Sequence, residues 1–160
     1  MTKLLKILFL GLVFQGVAVS APLSTDGLQG IKENQINIVA FVASWCPPCK
    51  ETTNFLTRLA KKNQDIYVSL FFVDEKMQTS SENNNFHINT ITYQEAKKYG
   101  VERSIPYILI FDKSGKAIKK YHTFNPELIS KLINNLQNGL YENGTLPPEK
   151  RIDLWQKNRF

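Results

Sequence analysis

The chain reads as a three-layer α/β domain, a four-stranded mixed sheet with helices on both faces. Three observations predict it. Ile38-Val-Ala-Phe-Val-Ala43 is apolar without alternation, as expected of a central strand buried on both faces. Two stretches, one opening at Cys46 and one at Pro126, carry apolar residues at helical spacing. The patterns follow the order strand, helix, strand, helix, strand, strand, helix, which gives a β-α-β unit and then a β-β-α unit. At 160 residues there is room for one such domain with its own core and a short extension.

Residues 1–20 stand apart from that fold. Lys3 and Lys6 form a small positive start, Leu4 to Val13 is apolar, and Ala18-Val-Ser-Ala21 suits cleavage after Ser20, so an export signal is expected. A spanning helix needs about 20 apolar residues. Gln15 and Gly16 interrupt this stretch before that, so membrane association is expected only if the segment stays uncleaved. No cysteine lies near the cut to carry a lipid. Residues 21–34, rich in Pro, Ser, Gly, Asn and Gln, read as a connector.

The domain proper spans residues 35–138. After the first strand a helix starts at Cys46, with Thr52, Phe55, Leu56 and Leu59 on one face and Lys61-Lys62 suiting its negative C-terminal end. Asp65 to Val73 is a second buried strand. Residues 75–91 are polar and Asn/Ser-rich and are expected to form a loop or irregular insertion. Thr92-Tyr-Gln-Glu95 is a capping box for a helix running through Tyr99 and stopped by Gly100. Tyr107 to Phe111 is the third strand, and Asp112-Lys-Ser-Gly115 turns into the fourth, Lys116 to Tyr121. Lys116, Lys119 and Lys120 mark that strand as an exposed edge. Asn125-Pro-Glu127 caps a last helix whose Leu128, Ile129, Leu132, Ile133 and Leu136 form one core-facing stripe. Residues 139–160, with Pro147-Pro148 and Trp155, form a C-terminal extension.

The formal net charge is +6, two of those charges lying in the expected signal. The basic residues are scattered in pairs such as Lys61-Lys62 and Lys97-Lys98 rather than gathered in one block, which argues against a nucleic-acid partner.

Cys46-Pro47-Pro48-Cys49 holds the only two cysteines of the chain, placed where the strand pattern gives way to the helical one. Two thiols this close can form and break a disulfide within one turn, the requirement for thiol–disulfide exchange. Cys46 at the helix start faces unpaired backbone N–H groups and the positive end of the helix dipole, both of which favour thiolate. Cys49 lies nearly a turn later and should be the more buried of the two. Pro48 lacks an N–H in the first turn, where none is needed, and Pro47 stiffens the loop. With no other cysteine, stability must come from the core.

Val42-Ala-Ser-Trp-Cys-Pro-Pro-Cys-Lys50 resembles the active-site segment of the thioredoxin superfamily. Ala96-Lys-Lys-Tyr-Gly-Val101 followed by Arg103-Ser-Ile-Pro-Tyr-Ile-Leu-Ile-Phe111 resembles its second signature, the approach to a cis-proline strand. The form with Trp45 before Cys-Pro-Pro-Cys, behind an export signal, is most similar to thioredoxin-like proteins of the bacterial envelope, including those that serve cytochrome c maturation. The resemblance implies a redox-active disulfide and no other cofactor, with Cys46 as attacking thiol and Cys49 as resolving thiol. It implies that Pro106 is cis and lies against the pair, that Ile105 and Pro106 offer a backbone edge to an extended substrate, and that Trp45 packs beside the sulfurs and shields them. Partners would be protein thiols or disulfides and a second redox protein that donates or accepts electrons. The location would be the periplasm or cell envelope. Ile105 before the proline, and the lack of a histidine between the cysteines, lean towards a reductase.

The sequence departs from the family pattern at the proton acceptor. Thioredoxins carry a buried Asp six residues before the first cysteine; here the position is Ala40. Many envelope relatives carry a Glu three residues after the second cysteine; here Thr52 stands there and Glu51 precedes it. Two other readings compete with the oxidoreductase. One is copper binding or delivery by the cysteine pair with His87 and His122, the only histidines. The other is a redox-inactive, partner-binding protein of the same fold, in which the cysteines are dispensable.

Overall fold

The computed structural model describes residues 31–74, 81–102 and 104–141. The expected signal, residues 21–30 of the connector, Arg103 and the extension from residue 142 onward lie outside the described residues. The elements are β1 (Ile36–Val42), α1 (Pro47–Lys62), β2 (Ile66–Phe72), β3 (Ser81–Asn83), β4 (Phe86–Thr90), α2 (Tyr93–Lys97), β5 (Tyr107–Phe111), β6 (Ala117–Tyr121) and α3 (Pro126–Gln137).

The sheet has six strands in the order β3-β4-β2-β1-β5-β6, two more than expected. The four expected strands form one continuous run, β2-β1-β5-β6. The extra pair comes from the polar segment read as a loop: β3 and β4 are antiparallel, and β4 lies parallel to β2 with Val68 opposite Phe86. The physical reason is its edge position. Phe86 alone is buried in β4, while His87, Ile88, Asn89 and Thr90 are half-buried. One-faced burial leaves only a faint apolar signal.

β1 and β2 are buried along their whole length, as central strands should be. The side chains of β1 alternate between two cores. Ile36, Ile38, Ala40 and Val42 pack under Leu56 and Ala60 of α1 and Ile129, Leu132 and Ile133 of α3. Val39 and Phe41 face the other way, against Ala96 of α2, Tyr107 and Leu109. Helices thus cover both faces, which makes the three layers. Leu128 falls outside the α3 stripe and is 51% exposed. At 100° per residue it stands about 90° from the centre of the face made by Ile129, Leu132, Ile133 and Leu136.

Asn37 is a buried polar residue whose amide is fully used. Its Oδ1 accepts from the Lys32 N–H at 2.8 Å, and its Nδ2 donates to the Lys32 and Gln35 carbonyls at 2.9 and 2.8 Å. The chain entering β1 is tied down in this way.

α2 is short, so its ends matter. The Thr92 hydroxyl accepts from the Glu95 N–H at 3.2 Å, and the Glu95 carboxylate accepts from the Thr92 N–H at 2.9 Å, which completes the expected capping box. Gly100 closes the far end at φ +86°, and the Tyr107 hydroxyl lies only 2.9 Å from where a Cβ would stand. Thr92→Ala is expected to lower stability by about 1 kcal/mol, read as a shift of the urea midpoint. The Thr92 hydroxyl, then its backbone N–H, hold the Glu95 carboxyl below its usual value. That contribution is present above the ordinary carboxylate range and is lost as pH falls through the lowered value. The wild-type advantage over Thr92→Ala should therefore shrink in acid.

Candidate active site

The β1 strand delivers the chain to the mouth of α1, and the sequence there makes the helix start abruptly. Pro47 and Pro48 occupy the first helical positions, and Cys46 is the N-cap in an extended conformation. Its sulfur accepts from the Cys49 N–H at 3.3 Å, and its carbonyl accepts from the Cys49 and Lys50 N–H groups at 3.1 and 3.3 Å. The Cys46 sulfur is therefore bonded to one of the free helix amides and sits at the positive end of the dipole.

Cys46 and Cys49 are joined as a disulfide, with Cα atoms 5.2 Å apart. Cys49 shares the buried line of α1 with Thr52, Leu56 and Ala60, and that helical spacing explains why it is only 1% exposed, against 5% for Cys46. The Cys46 sulfur lies 3.8 Å from the Ile105 carbonyl oxygen, 59 residues away in the chain. The Ile105–Pro106 bond is cis, as the resemblance implied, and Pro106 is buried against the start of β5. Cysteine pair and proline edge, separate in sequence, thus meet because β5 lies antiparallel beside β1.

Trp45 departs from expectation. It stands 70% exposed next to Cys46, so it does not pack down over the sulfurs. A ring so placed turns a flat apolar face to solvent. Pro47 and Pro48 are exposed beside it. Thr52, at the position where envelope relatives carry an acid, is fully buried and its hydroxyl donates to the Pro48 carbonyl at 2.8 Å. Its own proton is engaged in the helix and does not point to a role at the sulfurs.

The two histidines lie on opposite sides of the sheet's central strands. His87 is in β4, its ring 6.0 Å from that of Phe71; His122 follows β6, its ring 5.0 Å from that of Tyr107. Four strand spacings separate them, about 19 Å. The pair cannot complete one metal site with the cysteines. Among the described residues no group of three or more potential ligands is gathered.

Sequence reasoning missed Ser44 and Asp74. Both Asp74 carboxylate oxygens accept from the Ser44 N–H, at 3.1 and 3.0 Å, and the Ser44 hydroxyl donates to the same carboxylate. A signal for this pairing existed. β1 and β2 are parallel with Val42 opposite Phe72, so residues two beyond each strand end come side by side.

A family model described as thioredoxin matches residues 17–137. Among curated proteins, thioredoxin H-type 2 of Nicotiana tabacum is 40% identical over 47 residues, covering 29% of this chain and 40% of that protein. A thioredoxin H-type of Brassica campestris is 31% identical over 72 residues, covering 44% and 58%. The match spans about half the length of these relatives or less. Among solved structures, the exposed lipoprotein thioredoxin of Streptococcus pneumoniae aligns with a TM-score of 0.51 at 23% identity, over 65% of this chain and 87% of that one. A protein of Chlorobium tepidum described as thiol:disulfide interchange protein DsbE aligns with a TM-score of 0.54 at 22% identity, over 66% and 79%. At these identities the structures speak to the fold alone, which here carries a disulfide-forming cysteine pair. Taken with the Cys46–Cys49 disulfide set against a cis Ile105–Pro106 edge, the family match over most of its length shows that the chain belongs to the thioredoxin family.

Proposed function

We propose that this protein is an exported thiol–disulfide oxidoreductase that exchanges its Cys46–Cys49 disulfide with cysteines of envelope proteins, working as a reductase. The observation that carries the reading is the placement of Cys46 at the mouth of α1, 3.8 Å from the carbonyl of the Ile105 edge. The helix mouth favours thiolate, and the edge can hold an extended substrate strand within reach of it.

In the reduced protein the Cys46 thiolate attacks one sulfur of a substrate disulfide and the other leaves as a thiol. Cys49 then attacks the Cys46 sulfur of the mixed disulfide and releases the second substrate thiol. The two electrons come from the cysteine pair, so no other cofactor enters. A partner dithiol protein restores the pair. The export pattern of residues 1–20 supports a periplasmic or envelope location, with membrane attachment only if that segment is retained. A reducing role in cytochrome c maturation is one setting that fits. Ile105 beside Pro106, and the absence of a titrating residue between the cysteines, favour the reducing direction.

The test is the reduction potential of the Cys46–Cys49 couple, equilibrated against glutathione and against a thioredoxin of known potential, together with catalysis of insulin disulfide reduction. A value near the reducing end of the family, about −270 mV, is expected. A couple as oxidising as glutathione would overturn the reducing direction, and no catalysis in either direction would overturn the oxidoreductase reading.

A further inference from the structure

The site as described leaves one chemical demand unmet. Cys49 must lose a proton before it can attack, and it is buried where a thiolate is disfavoured. Ala40 and Thr52 stand where an acid could have served, and neither can take that proton.

An open pocket of about 150 Å³ reaches Cys49 from the surface. Ser44, Lys50, Thr53 and Asn54 contribute polar groups to its lining, and Ala43 and Phe72 contribute apolar surface. It is large enough for several water molecules, each of which occupies about 30 Å³ in the liquid, and the polar residues of its lining can hold them. Ser44 is the unusual member. Its hydroxyl proton is donated to Asp74, and the same carboxylate grips its backbone N–H through both oxygens. A hydroxyl whose only proton is committed in this way has only lone pairs to offer anything else. It can accept a hydrogen bond from water in the pocket and cannot donate one.

We propose that this pocket is the proton exit of Cys49, with Ser44 holding the accepting water at its rim and Asp74 positioning Ser44. The inference rests on the oxidoreductase reading above and deepens it. Water that donates one hydrogen to Ser44 turns a lone pair towards the Cys49 thiol and takes its proton, which passes on to bulk solvent. The electron pair left on Cys49 forms the bond to the Cys46 sulfur. The bond from Cys46 to the substrate sulfur breaks with its pair on the substrate, which takes a proton from solvent. Protons and electrons balance without any further reactant. The charged residues beside the step are Asp74, whose carboxylate lies behind Ser44, and Lys50, which lines the same pocket.

The test follows the reduced protein reacting with one equivalent of dithiobis-nitrobenzoate in a stopped-flow spectrometer. Attack by Cys46 releases the first coloured thiolate and leaves a mixed disulfide; attack by Cys49 releases the second. Ser44→Ala removes the hydroxyl and keeps the backbone N–H that Asp74 holds. It is expected to slow the second phase about tenfold near neutral pH, less than a directly placed base contributes because the proton travels through solvent. The first phase should not change. The gap should close as pH rises and hydroxide takes over, and Ser44→Thr should restore the rate. Asp74→Asn should slow the same phase when Ser44 is present and add nothing to Ser44→Ala, the non-additivity expected of one coupled unit.

Equal second phases in wild type and Ser44→Ala at every pH would overturn the proton exit while leaving the oxidoreductase intact. So would a slowing that is independent of pH or that affects both phases, since that is what a merely structural role gives. A wild-type protein that releases no second thiolate would overturn both.

Discussion

Cys46→Ser is expected to lower disulfide-reductase turnover by at least about a thousandfold, because a serine hydroxyl at neutral pH supplies no nucleophile comparable with a thiolate. Cys49→Ser should behave differently. The attacking sulfur remains bonded to the helix mouth, so the first step proceeds and the protein accumulates as a stable mixed disulfide with its substrate. Non-reducing electrophoresis would show that adduct in Cys49→Ser and not in Cys46→Ser. The asymmetry follows from geometry: Cys46 caps the helix and faces the Ile105 carbonyl, while Cys49 lies on the buried line of α1. Neither variant should unfold. The bridge closes a loop with a sequence separation of only 3, for which chain entropy gives about 2 kcal/mol. Two-sided packing of the sheet holds the fold instead. An adduct in Cys46→Ser, or in neither variant, would contradict the assigned roles. A wild-type protein with no reductase turnover, and no adduct in either variant, would favour the redox-inactive partner-binding reading.

Much of this fold was legible in the sequence because its central strands are buried on both faces. The unbroken apolar run from Ile38 to Ala43 admits few other environments, and the Asn125 and Thr92 caps mark helix starts by hydrogen-bonding chemistry that depends on neighbouring residues alone. The hairpin of β3 and β4 was missed for the opposite reason. Its strands add to an edge, only Phe86 is buried in β4, and the alternation of Phe86 and Ile88 with His87 and Asn89 is diluted by the asparagines around it. Edge strands draw their stability from a neighbour's backbone, which composition does not record.

The site divides along the same line. Cys46 and Cys49 declare themselves by spacing, and Ile105 and Pro106 by motif. Trp45 was misplaced because an aromatic at a strand end can pack inwards or stand in solvent, and only its neighbours decide which. Ser44 and Asp74 are 30 residues apart and meet through parallel register. Each alone is an ordinary polar residue after a strand. Register between distant strands is a tertiary property, and a single sequence states it only once the pairing is known.

Phe41→Ala should produce the largest loss of stability among single core changes on the α2 side of the sheet. Phe41 is fully buried, and its ring stacks on Phe71 at 5.6 Å and on Tyr99 at 5.7 Å, with Tyr107 tilted against it at 6.2 Å. Truncating such a ring removes its transfer free energy and leaves a cavity, together about 3–5 kcal/mol. That is a large share of the roughly 5–15 kcal/mol that holds a domain of this kind. Urea unfolding should show a lower midpoint at an unchanged slope. Trp45→Ala serves as the contrast, because a ring 70% exposed should change stability by no more than about 0.5 kcal/mol while weakening protein-substrate binding. The Phe41 effect should also reach the site. Tyr107 follows Pro106 directly, and loosening the rings behind it loosens the edge that faces Cys46. Folded Phe41→Ala should therefore raise KM for a protein disulfide more than it slows reaction of Cys46 with a small aromatic disulfide. If KM rises only in proportion to the slowing of the small-disulfide reaction, the ring cluster supports the fold as a whole and not the substrate edge in particular.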